Sequence, residues 1–186
     1  MHETDQYGYW GNGYARLRIG RRYVIEYEMY DENIINDRAY TDMTGSSDTI
    51  YFARRDVRTI QNVIGTSYAL NNKASFDLRI RHYWSGVINK DYHQLQDDGT
   101  LVYDPGYMQN NNENYNAFNV DLVFRWIFAP GSELSIAWKN SILDSKSDVT
   151  QNYLENIGNT WKSDQTNSFS VKVLYYIDYN NLRRKK

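Results

Sequence analysis

Apolar and polar residues alternate along much of this chain, most cleanly between Asn116 and Ser141. In NAFNVDLVFRWIF, Phe118, Val120, Leu122, Phe124, Trp126 and Phe128 share one face, because strand side chains point alternately to opposite sides. Asn119, Asp121, Val123, Arg125 and Ile127 take the other face. After Ala129–Pro130–Gly131, SELSIAWKNS repeats the pattern, with Leu134, Ile136 and Trp138 against Glu133, Ser135, Ala137 and Lys139. A three-residue loop sets Phe128 opposite Ser132. The same register places Trp126 opposite Leu134, Phe124 opposite Ile136, Leu122 opposite Trp138, and Asp121 opposite Lys139. Apolar groups then meet apolar groups, and opposite charges meet each other.

The same reading yields five further strands. Gly13–Ile19 and Tyr23–Tyr30 form a hairpin about Gly20–Arg21–Arg22, with Arg16 opposite Glu26. Val57–Leu70 and Ala74–Trp84 form a second about Asn71–Asn72–Lys73, with Asp77, Arg79 and Arg81 on the polar side. Asn167–Tyr179 is the last strand and carries Lys172 on its polar face. Residues 1–12 read as irregular, residues 31–56, 85–115 and 142–165 as long loops, and residues 180–186 as a basic tail. No segment holds a helical period with caps. Turns of about three residues gather at one end of the strands and loops of roughly 20 to 30 at the other, the asymmetry of bacterial outer-membrane barrels.

Composition sharpens this picture. The 186 residues carry a net charge of −2, and nothing concentrates Lys and Arg on one face, so nucleic acid is not an expected partner. There is no cysteine, hence no disulfide framework and no thiolate metal site. A mean hydropathy of −0.76 looks soluble, yet barrel strands dilute each apolar position with a polar one. The 18 Tyr, 5 Trp and 6 Phe suit the aromatic girdles of a barrel, and equally a carbohydrate-binding surface. MHETDQYGYW lacks the basic start, apolar stretch and small-residue cleavage site of a signal peptide, so the chain is expected to be a processed form or a fragment.

Several stretches resemble a known family: YFARRDVRT (Tyr51–Thr59), RHYW (Arg81–Trp84), FRWIFAPGSELSIAWKNS (Phe124–Ser141) and KVLYYIDYN (Lys172–Asn180). They are similar to the C-terminal barrel of an uncharacterised outer-membrane family common in Bacteroidota. Its members begin with a signal peptide and a carbohydrate-binding family-nine-like domain, followed by a long domain of unknown function that ends in barrel strands. The resemblance implies no catalytic residues.

Candidate chemistry is sparse. His2, His82 and His93 lack metal-ligand spacing, Asp97–Asp98–Gly99 lacks the alternating oxygens of a calcium loop, and Gly11–Asn12–Gly13 and Gly45–Ser46–Ser47 are turn chemistry. No cofactor, metal or catalytic constellation is expected. The polar faces collect a charged network of Arg16, Glu26, Asp77, Arg79, Arg81, Asp121, Arg125, Lys139 and Lys172, with Arg18, Glu28, Glu133 and Asp178 beside it. Its signs nearly cancel, which suits a filled lumen better than a selective pore. Tyr92, Tyr103, Tyr107 and Trp161, with Tyr153, are loop aromatics suited to stacking on sugar rings.

The expected fold is therefore all-β, an antiparallel up-and-down transmembrane β-barrel, as an incomplete C-terminal portion of a larger one. The expected location is the bacterial outer membrane, and the expected role is non-enzymatic, structural or in transport, linked to carbohydrate handling. The partners are outer-membrane lipid, a glycan, and upstream strands or another chain. At least one strand before Gly13 must come from elsewhere, because a complete bacterial barrel has an even number of strands with both ends inside. The alternative is a soluble β-rich carbohydrate-binding module. A loop-borne hydrolase is the weakest option, for want of a constellation.

Overall fold

The computed structural model describes residues 5–44 and 49–177. His2, Gly45–Ser46–Ser47, Asp178, the end of the last expected strand at Tyr179 and the basic tail lie outside them. The elements are β1 (Tyr7–Ile19), β2 (Tyr23–Thr44), β3 (Thr49–Ala69), β4 (Ala74–Leu95), β5 (Leu101–Tyr103), β6 (Glu113–Ala129), β7 (Ser132–Lys146), α1 (Tyr153–Thr160) and β8 (Gln165–Leu174). They build one antiparallel sheet in the order β1-β2-β3-β4-β6-β7-β8, with the short β5 paired to the end of β4. Each long strand pairs with its neighbour in sequence, which is the up-and-down pattern. The sheet is open: no β1–β8 pairing closes it among the described residues.

The short turns lie where alternation placed them. Gly20 (φ 61°) and Gly131 (φ 71°) adopt the left-handed conformation that a residue without Cβ enters at no steric cost. At Gly131 an added Cβ would also sit 2.9 Å from the Tyr176 side chain. Arg16 pairs with Glu26, and Asp121 with Lys139. Trp126–Leu134, Phe124–Ile136 and Leu122–Trp138 also pair as expected. One detail differs. Ala129 rather than Phe128 pairs with Ser132, because a bulge between Ile127 and Ala129 absorbs one residue and tightens the loop.

The strands are longer than their alternation. β1 begins at Tyr7, inside the segment read as irregular. β2 runs through Thr44 and β3 from Thr49, across the loop placed at 31–56. β4 continues to Leu95, and β7 to Lys146. Bulges at Ile34/Asp37 and Tyr40/Asp42 shift the β2–β3 register, and Asn36 takes φ 58° there while its N–H donates to Asp56 Oδ1 at 3.0 Å. Each bulge switches which side chains face which way, so polarity stops alternating while the ladder continues. The last strand is shorter than expected, ending at Leu174.

A helix lies within the loop placed at 142–165. α1 is capped by Asn152, whose side chain accepts from the N–H groups of Leu154 and Glu155. No helix among the described residues is long and apolar enough to cross a membrane, which says nothing of strands.

Candidate functional site

Register assigns every side chain to one of two faces. The first, near the short turns, carries Leu17, Ile19, Tyr23, Ile25, Ile64, Tyr68, Phe76, Leu78, Ile80, Leu122, Phe124, Trp126, Leu134, Ile136, Trp138, Phe169, Val171 and Val173. This is a continuous apolar belt crossing all seven long strands. Rings pair along it: Phe76 tilted against Phe124 at 4.9 Å, Trp138 stacked with Phe169 at 6.4 Å, and Tyr23 T-shaped to Tyr68 at 6.0 Å between centroids. Apart from the rows of Val120 and Phe118, nearest α1, the belt stays largely open to its surroundings. Even in mid-sheet Ile64 is 41% exposed, and Phe169 on the last strand is 75% exposed.

The opposite face is charged and holds a cleft. A cleft of about 330 Å³ is lined from Arg16 on β1, through Glu26, Gly65, Asp77 and Arg79, to Asp121 and Val123 on β6. Arg16 Nε lies 3.2 Å from Glu26 Oε1, and Arg125 Nη1 lies 3.9 Å from Asp77 Oδ2. Asp121 joins two cations, with Arg81 Nη2 at 2.6 Å and Lys139 Nζ at 3.6 Å. Arg79 stands opposite Asp121 in the register and lines the cleft; Lys172 stands opposite Ser135 on the open side of the sheet. Nearer the long loops, Asp5 joins Arg38 and Arg54, and Arg54 Nη2 reaches Asp91 at 2.6 Å.

These pairs are wet. Arg81 and Lys139 are 44% and 66% exposed at the side chain, so water screens both from Asp121. Asp121→Asn is accordingly expected to cost no more than about 1 kcal/mol, less at high salt. A denaturant titration showing a loss several times larger would mean that the cleft is drier than its exposure indicates.

The aromatic candidates separate. Tyr92 and Tyr107 come together, with centroids 4.5 Å apart, and Tyr51 joins Tyr107 at 4.2 Å. Tyr92 sits on β4 and Tyr103 on β5, not in loops, and Tyr103 packs on His93 at 5.6 Å. Trp161 is elsewhere, edge-on to Phe118 at 5.2 Å. The Tyr107 hydroxyl donates to Asp42 Oδ2 at 2.6 Å and accepts from Asn111 Nδ2 at 2.7 Å, so this cluster is packed through its polar atoms. Burial, then the bond to Asp42, pushes the Tyr107 phenol up to about 12 from its usual 10. The folded chain thus holds this proton more tightly than the unfolded chain. The associated stability is full below pH 10 and lost as pH rises toward 12. Tyr30, Tyr51 and Tyr153 are also pushed up by burial, so absorbance titration should show a late tyrosinate component that Tyr107→Phe diminishes; ionisation of all tyrosines near pH 10 would contradict this.

The sequence reading missed a buried polar network on the first face, beyond the belt. Asn156 of α1 is fully buried; its Nδ2 donates to Asn116 Oδ1 at 2.6 Å. Its Oδ1 accepts from Asn114 and Asn116 at 3.0 and 3.2 Å. Trp84 Nε1 donates to Asn114 Oδ1 at 2.6 Å. Tyr153 hydrogen-bonds His82 Nδ1 at 2.9 Å and Asn62 Nδ2 at 2.6 Å. The local signal was Asn152-x-x-Glu155, an Asn cap three residues before Glu. The Asn114-x-Asn116 repeat, on what would otherwise be an apolar face, was a second.

Among the described residues no three His, Cys, Asp or Glu side chains gather to hold a metal. Asp97–Asp98–Gly99 is a turn in which Asp98 Oδ1 accepts from Thr100 N and Oγ1. The arrangement offers two opposed surfaces, one apolar and bare, one charged and wet.

Set against known proteins, a model of the family described as domain of unknown function (DUF5916) matches residues 1–186. No curated protein and no solved structure matches.

Proposed function

For a chain that belongs to the DUF5916 family over residues 1–186, we propose a non-enzymatic role as part of the wall of an outer-membrane β-barrel. The exposed apolar belt carries this reading. Contiguous apolar surface across seven strands is far more than a water-facing sheet tolerates, and on an antiparallel sheet one such face demands a cover. Lipid supplies one. The charged face then lines the interior, the short turns face the periplasm, and the long strand extensions stand outside the cell. The likeness of the Phe124–Ser141 block to Bacteroidota barrel proteins agrees with this placement.

The open edges bear on partners. β1 and β8 each present one row of backbone N–H and C=O groups that lipid cannot satisfy. We place further strands against both, supplied by the rest of a longer chain or by another chain. Seven long strands plus an odd number of others give the even count of bacterial barrels. The wall serves a structural or transport role, and the Tyr51–Tyr92–Tyr107 cluster at the outer end is where a glycan would be met.

Detergent dependence tests the proposal. The purified chain is expected to keep its strand content only in micelles or vesicles, and to aggregate on dilution into buffer. A monodisperse, folded chain without detergent would remove the membrane reading and leave the soluble carbohydrate-binding module.

A further inference from the structure

On the first face the belt ends at the row of Phe118 and His82. Beyond it the same face turns polar, with Asn116, Asn114, Trp84 and Arg58, and α1 lies across it. The helix is amphipathic in the inverted sense. Its buried residues are Asn156 and Thr160, with Tyr153 half-buried in line with them. Leu154, Gly158 and Trp161 form a separate stripe at i, i+4 and i+7. Leu154 is 77% exposed and Trp161 55% exposed. A helix on a water-facing surface would bury its leucine and tryptophan and expose its asparagine. Here the polar side satisfies the polar sheet, and the apolar side is left facing away.

We propose that this outer stripe, with the exposed Lys162 beside it, contacts the lipid headgroup layer at the long-loop border of the belt. The inference rests on the membrane-wall reading and adds the level at which the bilayer ends. Continuity identifies the occupant: Trp161 meets Phe118 edge to face at 5.2 Å, so its ring extends the belt by one row. Tryptophan has an apolar body and one N–H donor, the combination enriched at membrane interfaces, and a neighbouring lysine suits anionic headgroups. Asn114, Asn116, His82 and Asn62 would be costly against hydrocarbon, so covering them with α1 lets the strands leave the bilayer without presenting bare amides at its edge.

The test uses nitroxide labels, for which a chain without cysteine needs no background substitution. Leu154→Cys is compared with Ile136→Cys in the belt and Met108→Cys, which is 87% exposed in the β5–β6 connection. Each full-length variant is placed in phosphatidylethanolamine/phosphatidylglycerol vesicles, and the accessibility ratio of oxygen to a nickel chelate is read. The expected order is Ile136 highest, Leu154 several-fold above Met108, and Met108 fully aqueous. A Leu154 label matching Met108 while Ile136 reads as lipid-embedded overturns the inference and spares the wall reading. An aqueous Ile136 label overturns both. Spin–spin broadening at Leu154 would show that a second copy, not lipid, covers the stripe, and would also overturn the inference.

Discussion

Phe124→Arg is expected to lower stability in a phospholipid bilayer by about 2–4 kcal/mol, the cost of a guanidinium near the midplane of a barrel's lipid face. Phe124 lies between Phe76 on β4 and Ile136 on β7, in the middle of the belt, with the Phe76 ring 4.9 Å away. No carboxylate stands on that face nearby, so an arginine there has neither water nor a counter-charge. Asn119→Arg is the matched control. Asn119 belongs to the charged face, opposite Arg81 and Ser141, and Asp121 lies two residues along the same strand. The inserted charge there stays solvated, so its cost should remain below about 1 kcal/mol, the range of exposed charge interactions. Urea unfolding from vesicles, followed by tryptophan emission, separates the two. Equal losses would mean that neither face is buried in lipid, and the assignment of outside and inside would fall.

The belt was legible because alternation is a local property. Once Ala129–Pro130–Gly131 was seen as a turn, the partners of Phe124, Trp126 and Asp121 followed by counting, and a one-residue bulge at Phe128 did not disturb them. The strand extensions were not legible for the complementary reason. Asp31–Thr44 crosses two bulges, and beyond the belt neither face must be apolar, so no period survives in DENIINDRAYTDMT. The charged pairs divide in the same way. Arg16–Glu26 and Asp121–Lys139 are cross-strand neighbours within hairpins, whereas Arg81–Asp121 joins β4 to β6 and required the sheet order. The helix was hidden by its shortness and by its inverted polarity: a period of apolar residues turned away from the protein gives no hint of what lies underneath. Asn156 stands 42 and 40 residues from Asn114 and Asn116, and the three became a site only when the fold brought them together.

The second large effect is expected at Asn156. Its side chain meets every hydrogen-bonding demand between α1 and β6: it donates to Asn116 Oδ1, and it accepts from both Asn114 and Asn116. Asn156→Ala removes all three bonds and leaves two buried amides with donors unmet, each worth about 1–3 kcal/mol when stranded away from water. Partial compensation remains, since Asn114 still accepts from Trp84 and Asn116 still faces His82 Nε2 at 3.3 Å. The expected net loss is therefore about 2–4 kcal/mol. It should fall on α1 first, because the sheet ladders of β4, β6 and β7 do not pass through the helix. Asn152→Ala supplies the comparison: it removes only the exposed cap of the same helix, for about 1 kcal/mol. Hydrogen exchange should accelerate across Tyr153–Thr160 far more in Asn156→Ala than in Asn152→Ala, with protection in β6 retained. In a double-mutant cycle, Asn156→Ala and Asn116→Ala should couple by about 0.5–3 kcal/mol, as residues in one network do. Additive losses, or equal exchange in the two helix variants, would show that packing of Tyr153 and Trp161, rather than the asparagine network, holds α1 on the sheet.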